Sequence, residues 1–338
     1  MRYLLLLLFC CLRSFAQSSG SVTPNVHIQG HFEGFPSSQY RVFVTKPAVL
    51  SNYNYTPEET TTREQTDQCG SFKKDLWLES PQKVTVECLG YQLDFFLKPN
   101  DTLYFVNPNR SHSPVIKGPT APLHRFLYES MLLGKDSLCQ KPLFQHMSLE
   151  DYSFVVNDLS ALSWERYQRE CDTANVAINY YVKASLEGQK FLRKQTYIRS
   201  QGEQSKNETI SLNLLGDEAL ISDIYINALY SHWLGYLPTP FMNRNAVFQI
   251  DSTVWEGRYN AIYEGLRKLP KTRELMLAHT VRRSVSFISF STEKEITVPT
   301  KLFERFKEDF PRSSYTNVLA QDILDTSKRV KRMPPPQK

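Results

Sequence analysis

Lys83-Val84-Thr85-Val86-Glu87-Cys88-Leu89-Gly90-Tyr91-Gln92-Leu93-Asp94-Phe95-Phe96-Leu97 is the stretch whose reading decides the fold of the first third of this chain. Lys83 to Cys88 alternates polar and apolar residues, and Leu93, Phe95 and Leu97 alternate with Gln92, Asp94 and Phe96. A period of two is the pattern of a strand with one buried face. Gly90 between the two runs turns the chain back. The same pattern extends upstream, where Val26, Ile28 and Gly30 alternate with His27, Gln29 and His31. Arg41-Val42-Phe43-Val44 is another apolar run, and the Cys69-Gly70 turn leads into Phe72 to Leu78. The Thr-rich segment Thr56 to Gln68 reads as a loop. Downstream, a Pro99-Asn100-Asp101 turn precedes Thr102 to Val106. About seven short strands with regular turn signals predict an antiparallel β-sandwich over residues 25–118.

The period changes near Gly118-Pro119. Leu123, Phe126, Leu127 and Met131 fall at helical spacing. Ser148 with Asp151 marks a helix start resembling a capping box, and a helical stretch runs to about Ser200, broken near Asp172-Thr173. Leu212 to Leu234 is predicted as one helix, ended by Gly235 and the Pro238/Pro240 pair. Further helices are predicted over Thr253 to Arg267, Lys271 to Phe287, Pro299 to Phe310 and Tyr315 to Val330. The predicted fold class is α+β, an N-terminal antiparallel β-sandwich followed by an all-helical region over 119–330, with a disordered tail at 331–338.

Residues 1–16 have the parts of an export signal: Arg2, an apolar core from Leu4 to Leu12, and the small-x-small site Ser14-Phe15-Ala16. The mature chain is expected in the periplasm or cell envelope. The formal charge of +5, reduced by Arg2 and Arg13 on cleavage, is too small to imply nucleic-acid binding. The tail cations Lys328, Arg329, Lys331 and Arg332 offer peripheral contact with an anionic membrane surface, against a solvated linker as the alternative.

Four cysteines remain after the signal: Cys69, Cys88, Cys139 and Cys171. Disulfides and buried free thiols are both open for them. No C-x-x-C pair occurs. His27 and His31 share a strand face but lie about 13 Å apart, too far for one metal ion. G-x-S-x-G, Walker and G-x-G-x-x-G motifs are absent. The acid pairs Asp217/Glu218 and Glu308/Asp309 read as solvated surface, and Asn207-Glu208-Thr209 is a formal sequon. Tyr230, Trp233 and Tyr236, in an aromatic stretch with Tyr225 and His232, are candidate binding aromatics; at helical spacing such residues also serve as core. No catalytic residue, metal or cofactor is called for.

Four short motifs carry a family resemblance: Ile28-Gln29-Gly30-His31-Phe32-Glu33-Gly34, Gly70-Ser71-Phe72, Pro99-Asn100-Asp101-Thr102-Leu103 and Phe310-Pro311-Arg312-Ser313-Ser314-Tyr315. Together with the signal they resemble the N-terminal region of envelope thioredoxin-like thiol-disulfide oxidoreductases of certain Gram-negative bacteria. Asn100 stands where that family carries glycine. In the family a thioredoxin domain with a W-C-x-x-C site follows, and those residues have no counterpart here. The resemblance implies a non-catalytic envelope accessory or binding module with an envelope protein as partner. Two alternatives are a stand-alone redox protein using a cysteine pair without C-x-x-C spacing, and a glycan-binding envelope protein using the aromatics near Trp233.

Overall fold

Eight strands form between residues 26 and 117: β1 (Val26–Phe32), β2 (Gln39–Thr45), β3 (Glu64–Gln65), β4 (Ser71–Leu76), β5 (Gln82–Cys88), β6 (Tyr91–Leu97), β7 (Thr102–Asn107) and β8 (Val115–Lys117). They belong to a computed structural model that describes residues 23–45, 63–108, 114–133, 144, 146–201, 210–235, 252–286 and 296–331. The export signal, Cys139, Tyr236, the sequon and the tail beyond Lys331 lie outside the described residues. The strands make two four-stranded sheets, ordered β4-β1-β7-β8 and β3-β2-β5-β6. One apolar cluster draws Ile28, Phe32, Phe72 and Phe105 from the first sheet and Val42, Val84, Val86 and Phe95 from the second.

One expectation is corrected here. The strands are not all antiparallel, because β1 pairs with β7 in parallel, Ile28 against Leu103 and Gly30 against Phe105. About 70 residues separate the two strands, ample for the crossover a parallel pair requires. The turn before β7 locks this pairing. Asn100 takes φ +70, a conformation that asparagine tolerates better than most side chains. Its N–H donates to Asn25 O at 2.7 Å, and His27 N–H donates to Asp101 O at 3.1 Å. Gly70 (φ +87) is obligatory at the entry to β4, since a Cβ there would lie 2.4 Å from Phe32 O.

Among the described residues eight helices follow: α1 (Ala121–Glu129), α2 (Leu149–Glu170), α3 (Val176–Ser200), α4 (Asp223–Leu234), α5 (Ser252–Gly265), α6 (Pro270–Ser286), α7 (Thr297–Asp309) and α8 (Thr316–Lys331). The chain is thus a mixed α+β protein. Ser148 Oγ accepts from Asp151 N–H at 3.0 Å at the predicted start of α2. The predicted helix over 212–234 is corrected: it divides into a 3-10 turn at Asp217–Ile221 and α4. Ser222 sits between them in extended conformation and accepts from Tyr225 N–H, capping α4. Gly188 on α3 allows a close helix crossing, since a Cβ there would meet Ile224 O and the Tyr225 backbone at 2.8 Å.

The sheets and helices are joined by side chains that satisfy a sheet edge. On β6, Phe96 N–H donates to His124 Nε2 at 3.2 Å. One turn later on α1, Tyr128 Oη donates to Asp94 O at 2.8 Å. Edge strands need such a cover, and α1 supplies it with residues four apart on one helix face. Phe96 also stacks on Tyr181 of α3, with centroids 3.8 Å apart. Below this pair, Lys83 Nζ donates to Asp223 Oδ2 of α4 at 2.6 Å and lies 3.3 Å from Asp94 Oδ2. Burial alone would lower the Lys83 pKa, but the two carboxylates outweigh it and hold the ammonium firmly charged. No described helix is long and apolar enough to cross a membrane.

Candidate functional site

Alternation along the first sheet puts Ile28, Gly30, Phe72, Leu103 and Phe105 inward. It puts His27, Gln29, His31, Ser71, Lys73, Asp75, Tyr104, Val106, Val115 and Lys117 on the outer face. The registers align these outer residues into rows. Lys73 faces Gln29, Gln29 faces Tyr104, and Tyr104 faces Lys117, giving one row across all four strands. The next row contains Ser71, His31, Val106 and Val115. Beside these rows a shallow open cleft of about 790 Å³ continues onto Tyr40 and the Glu64–Asp67 segment.

The carboxylates around this face are already engaged. Asp75 Oδ1 lies 2.7 Å from His27 Nδ1. Glu64 accepts from Lys74 and, at 2.6 Å, from the Tyr40 hydroxyl. The Lys74 ammonium and then the Tyr40 hydroxyl lower the Glu64 pKa, while burial and then the Glu64 carboxylate raise that of Tyr40. Asp67 Oδ1 accepts the N–H groups of Ser71 and Cys69, both at 2.8 Å, and these bonds lower its pKa. Lys73 and Lys117 are exposed and have no carboxylate partner among the described residues. Tyr104, 38% exposed, leans over Gly118, where a Cβ would come within 3.1 Å of its ring.

His31 Nδ1 lies 3.0 Å from Ser71 Oγ. A serine nucleophile needs its histidine oriented by a third group. No carboxylate among the described residues bonds His31, since the nearby Asp67 is spent on backbone N–H groups. Among the described residues no cluster of three potential metal ligands forms, and His27 and His31 bond across the strands to Asp75 and Ser71 instead.

The cysteines fall in three separate settings. Cys69 is exposed in the turn before β4, Cys88 is buried at the end of β5, and Cys171 caps α2. All three are free thiols, so no disulfide joins any two of them. Burial raises the thiol pKa of Cys88, and burial followed by the Glu170 carboxylate pushes Cys171 up to about 11. Both changes lower the thiolate fraction and hence the reactivity.

Of the candidate aromatics, Tyr230 and Trp233 pack against the helical core. Tyr230 meets His279 edge-on at 5.4 Å with the Arg283 guanidinium 5.2 Å from its ring. The Trp233 ring occupies the space a side chain on Gly265 would need, 2.4 Å from that Cβ position. The solvated-surface reading of two acids is corrected as well. Asp217 Oδ1 accepts from Thr272 N–H at 2.9 Å and Oδ2 from Lys271 N–H at 3.0 Å, so it caps α6 from outside. Asp309 accepts from the Tyr259 hydroxyl at 2.8 Å.

No protein-family model matches this chain, and no curated protein or solved structure is significantly similar to it. The residues of the outer face were missed in the sequence as a group. Each strand's alternation marks its own outward residues, but only the pairing places Lys73, Gln29, Tyr104 and Lys117 in one row.

Proposed function

We propose that this chain is a non-catalytic binding module of the cell envelope, built like the N-terminal region of envelope thioredoxin-like oxidoreductases. In this reading residues 1–16 direct export, the two sheets face one another as a sandwich, and the helical region supports it. The partner is an envelope protein or ligand. The observation that carries the reading is the outer face of the first sheet. It presents two lysines with no carboxylate partner among the described residues and a partly exposed tyrosine, all three lining an open cleft. The family resemblance rests on the four sequence motifs, whose Gly34, Gly70 and Asn100 take the positive φ that such turn residues adopt readily. The stand-alone redox alternative finds less support, since Cys88 and Cys171 are free and shifted away from reactivity.

A disulfide-reductase assay run beside a thiol count tests this. In a Cys139→Ser background, Cys69 is expected to react rapidly with a thiol reagent, Cys88 only after denaturation, and turnover to match buffer. Turnover that disappears in Cys69→Ser would overturn the reading.

A further inference from the structure

We propose that the row Lys73, Gln29, Tyr104 and Lys117 binds an acidic polysaccharide, one whose sugars carry carboxylates. The inference rests on the binding-module reading and names the ligand class for that face. Three features converge on it. First, Tyr104 offers a partly exposed ring on β7, one of the two inner strands of the sheet. The C–H face of a pyranose packs on such a ring, because the π-face is electron-rich and apolar. Gly118 leaves room for the ring, since a Cβ there would come within 3.1 Å of it. Second, Gln29 stands beside Tyr104 in the parallel register and has no side-chain partner among the described residues. Its amide carries both donors and acceptors, which suits ring hydroxyls. Third, Lys73 and Lys117 flank the pair on β4 and β8, the two outer strands. Three strand spacings place their backbones about 14 Å apart, so the cations bracket more than one sugar.

Charge complementarity points to an anionic occupant. The neighbouring carboxylates of Asp75, Glu64 and Asp67 are each held by a partner within the protein, while the two lysines have no carboxylate partner among the described residues. A peptide is less suited to this surface. Across the middle of the face the backbone groups of β1 and β7 are spent in the ladders on both sides, so a peptide lying over Gln29 and Tyr104 would gain no main-chain hydrogen bonds there. A polyphosphate backbone would want more cations than two.

Binding of the full chain to oligogalacturonate, measured by calorimetry at low salt, tests the proposal, with neutral dextran and poly-glutamate as comparisons. Oligogalacturonate is expected to bind best and to weaken as salt is added. Tyr104→Ala should lose about tenfold in affinity, equivalent to about 1.4 kcal/mol, while Tyr104→Phe should retain it. Lys73→Gln and Lys117→Gln should each lose about threefold, as expected for exposed ion pairs. All four side chains project from an exposed face, so unchanged melting curves will show that the variants fold. The proposal is overturned if oligogalacturonate does not bind, if dextran or poly-glutamate binds equally well, or if Tyr104→Ala binds like the parent. Absence of binding together with an idle reductase assay sinks the ligand class alone; reductase turnover sinks the binding-module reading itself.

Discussion

Acid should loosen the junction between sheet and helix through one residue, His124. Its ring is wholly buried. Nδ1 lies 2.9 Å from Thr120 O and must donate to it, while Nε2 receives the Phe96 N–H at 3.2 Å. Only the neutral ring with its proton on Nδ1 satisfies both contacts. A second proton would set Nε2–H against the Phe96 N–H inside the core. Burial is the main cause that lowers the His124 pKa from 6.5 to about 4, with the Thr120 bond and the nearby Asp101 carboxylate acting the other way. Because the folded pKa is the lower one, the unfolded chain takes up the proton first. Stability from this residue is therefore complete above about pH 6.5 and is lost as the pH falls towards 4. By linkage the loss is about 2–3 kcal/mol at pH 4.5. The assay is urea unfolding of the parent and His124→Gln at pH 7.5 and 4.5. Glutamine accepts the Phe96 N–H without titrating, but it loses the Thr120 bond and some packing. It should be less stable than the parent by about 1–2 kcal/mol at pH 7.5 and equal or better at pH 4.5. His279, half-buried and lowered to about 4 by desolvation, contributes to both proteins alike and cancels in the comparison. Parallel losses in parent and variant would refute the neutral, buried assignment.

Three further outcomes follow from the packing. Lys83→Met should cost about 2–3 kcal/mol in urea unfolding, because Asp94 and Asp223 would be left facing each other without their shared cation; the partial exposure of both acids keeps the loss below that of a fully buried pair. Gly188→Ala should cost about 1–3 kcal/mol, since its Cβ would press on the α4 backbone, whereas Gly257→Ala, with open space around it, should be neutral or stabilising in the same melt. Asp217→Ala should cost about 1–2 kcal/mol through loss of the cap on α6; an unchanged unfolding midpoint would refute that role.

Much of the architecture was legible in local patterns. The strands around Gly90, the turn at Asn100, the Ser148 cap and the break near Asp172 all appear close to where alternation, turn chemistry and capping placed them. These features depend on interactions within a few residues, which a sequence states directly. The helix predicted over 212–234 failed for the complementary reason. Its residues have a helical period, but Asp217 is drawn away to cap α6, 54 residues later, and Ser222 starts the helix afresh. Periodicity cannot report such a competition.

The candidate site shows the same division more sharply. The sequence by itself predicted the strands that became β1, β4 and β7, and the alternation that turns His27, Gln29 and His31 to one face of β1, because a pleated strand has only two faces; it marked no strand at Val115–Lys117. It also determined that no recognised catalytic motif is present. Only the tertiary structure decided that β1 lies parallel to β7, and hence that Gln29 stands beside Tyr104 rather than beside a residue from another strand. It also decided that Tyr230 and Trp233 serve the core, and that the neighbouring acids, unlike Lys73 and Lys117, are held by partners. Pairing between strands some 70 residues apart depends on closing a long loop and burying a shared core, and neither is written in the period of any single strand.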